Sequence, residues 1–115
     1  MRHIESNIQK AAVLWFRLQF PQYSKLLFSC PNGGARNARE AQILKAEGIV
    51  PGVSDLILLV ARHGYNALCI EFKTPSGRQT QNQIQWQLEA EKQGNKYVII
   101  RDVESFIKTI NEYFK

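Results

Sequence analysis

Gly52-Val53-Ser54-Asp55-Leu56-Ile57-Leu58-Leu59-Val60-Ala61-Arg62-His63-Gly64-Tyr65-Asn66-Ala67-Leu68-Cys69-Ile70-Glu71-Phe72-Lys73 is the stretch whose reading decides the fold. Two apolar runs, Leu56 to Ala61 and Ala67 to Phe72, flank a segment with Gly64 and Asn66, residue types that tolerate the positive φ of a tight turn. The pattern predicts a β-hairpin. Three charges sit inside it: Asp55 opens the first strand, and Glu71 and Lys73 close the second. Burying a charge without a partner costs several kcal/mol or shifts its pKa. A hairpin centred near Gly64 also sets position 55 opposite positions 71 to 73, so residues from two segments meet at one place.

The chain has 115 residues, which suits one domain, residues 1–115, with a core large enough to do without disulfides. With 44% hydrophobic and 22% charged residues the composition is that of a globular protein, and no low-complexity run argues for disorder. The formal net charge of +5 and pI of about 9.4 favour an anionic partner, nucleic acid above all. Cys30 and Cys69 match no zinc or redox spacing and read as reduced core residues. No apolar run reaches the ~18 residues of a membrane span, and the N-terminus has no signal-peptide core. These features predict a soluble intracellular protein with no membrane partner, cytoplasmic or nucleoid-associated, or in the host cell if phage-encoded.

Outward from the hairpin, residues 3 to about 19 form an amphipathic helix pattern (Ile4, Ile8, Ala11, Ala12, Trp15, Leu18) stopped by Pro21, with Glu5 on its first turn. Ser24 to Cys30 reads as a short strand. It runs into Pro31-Asn32-Gly33-Gly34-Ala35-Arg36, a loop whose paired glycines permit close approach of a phosphate, or simply a turn. Ala38 to Gly48 reads as a helix capped by Gly48. Beyond the hairpin, Thr74 to Arg78 is a loop by composition. Thr80 caps a helix from about Gln81 to Gln93, with Ile84, Leu88, Trp86 and Ala90 apolar against a glutamine-rich polar face. Lys96 to Arg101 is a core strand, and Val103 to Phe114 a closing helix with Phe106, Ile107, Ile110 and Phe114 on one stripe. The order α-β-α-β-β-α-β-α predicts an α/β fold, a mixed central sheet with helices on both faces.

In an extended strand Glu71 and Lys73 point to the same side, and Asp55 adds a second carboxylate from the paired strand. Two carboxylates and the Phe72 main-chain carbonyl make an all-oxygen donor set suited to Mg²⁺ or Mn²⁺ rather than zinc. Such an ion lowers the pKa of a bound water and stabilises charge on a phosphoryl oxygen, and Lys73 is placed to orient that water. An isolated E-x-K more often marks an ion pair at a strand end. The apposed Asp55 and the apolar flanks favour the metal site.

Gly52-x-x-Asp55 followed by Glu71-x-Lys73 resembles the active-site signature of the PD-(D/E)xK nucleases, and most closely the VRR-NUC (virus-type replication-repair nuclease) branch. The resemblance covers nearly the whole chain. Pro31-Asn32-Gly33-Gly34 with Arg36 resembles that family's loop before its second helix, Thr74-Pro75-x-Gly77-Arg78 its segment after E-x-K, Gln83-x-x-Trp86 its Q-x-x-W, and Glu5 its N-terminal helical acid. Ser54 departs from the Pro that many members carry directly before the Asp.

The resemblance implies a restriction-endonuclease-like fold and a Mg²⁺- or Mn²⁺-dependent endonuclease hydrolysing DNA phosphodiester bonds. It implies Asp55, Glu71 and the Phe72 carbonyl as metal ligands, with Glu5 in a supporting or second-metal place. Lys73 would position the attacking water, and Gln83 would hydrogen-bond that water or the scissile phosphate. Asn32, Gly33, Gly34, Arg36 and Arg78 become phosphate contacts, while Trp86 reads as core. Size and resemblance together suggest a homodimer acting on branched DNA such as a four-way (Holliday) junction, as in DNA repair. A non-catalytic DNA-binding module of the same fold, or a nuclease reading a short sequence, are the competing expectations.

Overall fold

A computed structural model describes residues 2–31 and 37–115. Helix α1 (Arg2–Gln19) leads through a 3-10 segment (Pro21–Leu26) into strand β1 (Leu27–Ser29). Helix α2 (Ala38–Ala46), strands β2 (Leu56–Leu58) and β3 (Leu68–Phe72), helix α3 (Gln81–Lys92), strand β4 (Lys96–Ile100) and helix α4 (Val103–Tyr113) follow. The expected order holds, with two strands shorter than their apolar runs: the strand expected over Ser24 to Cys30 is half as long, and the one expected over Leu56 to Ala61 ends at Leu58. Pro21 pre-sets φ for a helical first turn, and Tyr23 N–H closes on the Phe20 carbonyl at 2.9 Å, so the chain coils before it extends.

The sheet is mixed, in the order β1-β2-β3-β4, antiparallel except for the parallel β3–β4 pair. The crossover between those two parallel strands is α3, as a helical connection requires. One sheet face carries Leu56, Leu58, Leu68, Ile70, Phe72 and Ile100 and packs on Ala12 and Phe16 of α1 and Phe106, Ile110 and Tyr113 of α4. This is the hydrophobic core. Alternation along the strands sends Cys69, Glu71 and Tyr97 to the opposite face, beneath α3.

The hairpin turn differs in detail from expectation. His63 and Gly64 supply the positive φ values (55° and 82°), as a two-residue hairpin turn demands, and Tyr65 N–H bonds the Arg62 carbonyl. Asn66 instead donates its side-chain amide to the Gln93 carbonyl at 2.6 Å, tying the hairpin to the end of α3. Tyr113 Oη donates to the Val60 carbonyl at 2.6 Å and ties the same hairpin to α4.

Helix α3 reverses the amphipathic expectation. Ile84 and Leu88 are 36% and 52% exposed, whereas Gln83 and Gln87 are half-buried against the sheet. The cause is the surface beneath: the buried Glu71 carboxylate accepts from Gln83, and Gln87 accepts from Gln79, which also donates to the Tyr97 hydroxyl, bonds that leucine could not make. Trp86 still meets the sheet through the Tyr97 ring at 6.2 Å. Among the described residues no helix is long and apolar enough to cross a membrane.

Candidate active site

The register Leu56↔Ile70 and Ile57↔Cys69, continued by one residue, sets Asp55 directly against Glu71. The first strand of the hairpin is steadied from its other side, where Cys30 N–H donates to the Asp55 carbonyl at 2.9 Å. Ser54, fully buried, turns its hydroxyl onto the Leu56 carbonyl at 3.1 Å, so a polar side chain without a proline ring is accommodated at the strand entrance.

Asp55 Oδ2 accepts from Phe72 N–H at 2.8 Å. A residue in an extended strand directs its N–H and C=O to the same edge, so the Phe72 carbonyl also faces Asp55. On the other carboxylate, Oε2 of Glu71 accepts from Gln83 Nε2 at 3.0 Å and lies 3.8 Å from Lys73 Nζ. Glu71 Oε1 is buried and accepts no N–H, while the Glu71 carboxyl lies within hydrogen-bonding reach of the Asp55 carboxyl. The Glu71 and Lys73 side chains are only 3% and 10% exposed, so neither charge is relieved by bulk water.

Electrostatics follow from that crowding. Burial first, then the Asp55 charge, pushes the Glu71 carboxyl up to about 8, against the downward pull of Lys73. Asp55 is also raised, chiefly by burial, with the Phe72 N–H bond opposing. The charge of Glu5, on the first turn of α1, adds to the rise at both. Two carboxyls this close share a proton at neutral pH unless a cation joins them.

The donor set fits a hard divalent ion. A buried oxygen on Glu71 that accepts no N–H, a second carboxylate and a main-chain carbonyl are all oxygen donors, of the kind Mg²⁺ and Mn²⁺ prefer. Among the described residues no three His, Cys, Asp or Glu side chains converge to form a complete cage. An ion there would draw on two carboxylates, a carbonyl and solvent, the sparse protein coordination usual for Mg²⁺.

Gln83 is held from both ends. Its Oε1 accepts from Thr80 N–H at 2.9 Å while Thr80 Oγ1 accepts from Gln83 N–H at 3.2 Å, a reciprocal cap at the start of α3. Its amide is thus already committed to the helix end and to Glu71. Arg78 is exposed on the loop from β3 to α3. Asn32, Gly33, Gly34 and Arg36 lie outside the described residues.

Sequence reasoning missed Arg101. Its Nη1 donates to the carbonyls of Thr74 and Gly77, both at 2.7 Å, and approaches that of Pro75 at 3.4 Å. One guanidinium therefore clamps the turn between Lys73 and α3. The only hint in the sequence was a cation at the end of an apolar strand.

The VRR-NUC domain family matches residues 2–103. The chain belongs to the VRR-NUC family. Membership implies a nuclease-type domain, with DNA as the substrate class. A solved structure described as "VRR_NUC domain protein" superposes with a TM-score of 0.83 at 24% identity, covering 96% of this chain and 87% of that one, and so shares its fold. No curated protein sequence matches the chain.

Proposed function

We propose that this VRR-NUC domain is a Mg²⁺- or Mn²⁺-dependent, structure-selective endodeoxyribonuclease. The observation that carries the reading is the pair of close carboxyls, Glu71 with a buried oxygen that accepts no N–H set against Asp55, an arrangement that costs stability when both are ionised unless a cation is shared between them. When bound, the ion would supply Lewis-acid stabilisation of phosphoryl charge and an acidified water.

The chain's own residues then have separable tasks. Asp55, fixed through Oδ2 by the Phe72 N–H, and Glu71, fixed through Oε2 by Gln83, present their remaining oxygens as ligands beside the Phe72 carbonyl. Lys73 Nζ, beside Glu71, orients the attacking water or offsets charge on the phosphate. Gln83 acts on Glu71, its amide being engaged there, rather than on the water. Glu5 supports the ligands or joins a second ion. Arg78, with Asn32, Gly33, Gly34 and Arg36, contacts phosphates.

Branched DNA, including a four-way junction, cut by a homodimer is the substrate and assembly we assign, because a single small domain gains a second cutting site through two-fold pairing. The deciding experiment is a panel of labelled linear, flap, splayed and four-way DNAs with and without Mn²⁺, run beside Asp55→Asn. Cleavage that needs Mn²⁺ and vanishes in the variant, with DNA binding retained, supports the reading. Cleavage retained by Asp55→Asn removes it.

A further inference from the structure

One face of the sheet is covered over only half its width. Helix α3 lies on β3 and β4, where Cys69, Glu71 and Tyr97 are buried beneath it. Over β1 and β2 the same face stays open. Phe28 pairs with Ile57 and Ile57 with Cys69, so their side chains point to the α3 side of the sheet. Leu59 continues the row two residues on, its N–H bonded to the Leu26 carbonyl at 2.9 Å. Phe28 keeps 40% of its surface exposed, Leu59 53% and Leu26 37%, and Ile57 is half-buried. A mixed sheet flanked by helices ordinarily buries both faces.

Chemistry narrows what belongs there. None of these four side chains carries a charge, so the face has nothing to hold a phosphate and nothing to repel a copy of itself. An uncharged apolar surface is its own complement, as a two-fold interface requires. The exposed leucines of α1 are placed differently. Leu14 lies one helical turn from both Lys10 and Arg17, and Leu18 adjoins Arg17, with no acid on those turns. Two copies joined along α1 would set like charges together.

The open face also leads to the carboxylates. Alternation carries it along β1 to Cys30 and along β2 to Asp55, two residues joined by the Cys30 N–H at 2.9 Å. A body docked on the face therefore borders the site. The connection between these strands offers further apolar surface: α2 buries none of its residues and exposes Ile43, with Val50 beyond it, at 49% each.

We propose that the open face of β1 and β2 is where a second copy of this chain docks, sheet against sheet about a two-fold axis, with Phe28, Ile57 and Leu59 at the centre. The inference rests on the homodimer of the proposed function and adds to it the face, and with the face the placing of each copy beside the other's Asp55. Facing sheets stack about 10 Å apart, within reach of interdigitating Phe and Leu side chains. Removal of this apolar surface from water drives the pairing.

The test measures solution mass by light scattering and sedimentation from micromolar to submillimolar protein, without DNA or metal. Wild type is compared with Leu59→Lys and Leu59→Glu on the open face, and with Leu18→Lys on α1 and Leu88→Lys on α3 as controls of similar exposure. Melting curves accompany each, and Leu59→Gln stands in for a charged variant that fails to fold. Wild type should be a dimer, and each Leu59 variant should raise the dissociation constant by at least roughly thirtyfold. Both controls should dimerise as wild type does. An equimolar mixture of Leu59→Lys and Leu59→Glu should regain dimer mass that neither shows alone, because the two-fold sets the face against itself. A monomeric wild type would overturn the proposal and leave the face to a different protein. Dissociation by Leu18→Lys or Leu88→Lys with Leu59→Lys unaffected would overturn it too, as would a mixture that stays monomeric. Absence of Mn²⁺-dependent cleavage by wild type would remove the nuclease reading separately, since the mass measurements do not depend on it.

Discussion

Gln83 donates its side-chain amide to Glu71 Oε2 at 3.0 Å and receives the Thr80 N–H on the oxygen of the same amide at 2.9 Å. One side chain thus couples the start of α3 to a carboxylate on β3. Groups that hold a metal-ligating carboxylate are worth about 10- to 100-fold in affinity or activity. Gln83→Met should therefore lower Mn²⁺-dependent cleavage by roughly that factor. It should also remove half of the reciprocal cap, at about 1 kcal/mol of stability. Gln83→Glu should do more damage to activity, because it sets a third carboxylate beside Glu71. Rates and melting curves for the two variants check both parts. Equal activity in wild type and Gln83→Met would show that Glu71 needs no such support.

The raised Glu71 carboxyl gives the metal-free protein a definite pH dependence. Folded Glu71 titrates near 8, above its ordinary value of 4.5, so between those limits the folded state binds more protons than the unfolded chain. Stability from this group is complete below about 4.5 and is lost as pH rises toward 8. The metal-free protein should melt at a lower temperature at pH 8 than its other groups alone would dictate, and Glu71→Gln should flatten that decline. Mg²⁺ or Mn²⁺ should restore wild type but not Glu71→Gln, and should release protons on binding, measurable by calorimetry in buffers of different ionisation enthalpy. A Glu71→Gln variant as pH-sensitive as wild type would place the coupling elsewhere.

The hairpin and the meeting of Asp55 with Glu71 were legible because both depend on a local rule. A turn fixes register, and register fixes which residue faces which. The reversed face of α3 was not legible. Periodicity assumes that apolar side chains point inward, and here the sheet surface is polar because the site occupies it, so Gln83 and Gln87 take the inner positions and Leu88 the outer one. Arg101 escaped for a different reason: its three acceptors are main-chain carbonyls, which carry no residue signature.

Arg101 makes its own prediction. Lysine keeps the charge, but its ammonium ends one bond short of the Nη1 position from which Arg101 reaches the Thr74 and Gly77 carbonyls. Arg101→Lys should loosen the turn that separates Lys73 from Gln83, lowering kcat several-fold while KM stays near wild type. Arg101→Ala should in addition cost about 1.5–3 kcal/mol, the range for hydrogen bonds to a charged group. Added guanidinium salt at low millimolar concentration should recover part of the alanine variant's kcat. A loss confined to KM would instead mean that Arg101 contacts the DNA.

Gly52 is where the site depends most directly on the absence of a side chain. Its φ is +89°, a conformation that L residues rarely adopt, and a Cβ there would run into the main-chain carbonyl of Asn82 and come within 2.9 Å of the Gln83 nitrogen. The backbone before Asp55 thus lies directly against the first turn of α3, which carries Gln83. Gly52→Ala must strain its own dihedral or push α3 away, and the obstacle is backbone, which has no rotamer to yield. The expected cost is about 1–3 kcal/mol, a fall in melting temperature of roughly 5–10 °C. Displacing α3 would also lengthen the Gln83–Glu71 bond, so activity measured well below the new melting temperature should drop as it does in Gln83→Met. Gly48 is the control: its φ of +106° imposes the same dihedral strain, but nothing lies within 4 Å of its added Cβ. Gly48→Ala should lose stability and keep its rate. If both variants keep their rates, the contact between Gly52 and α3 matters for folding alone.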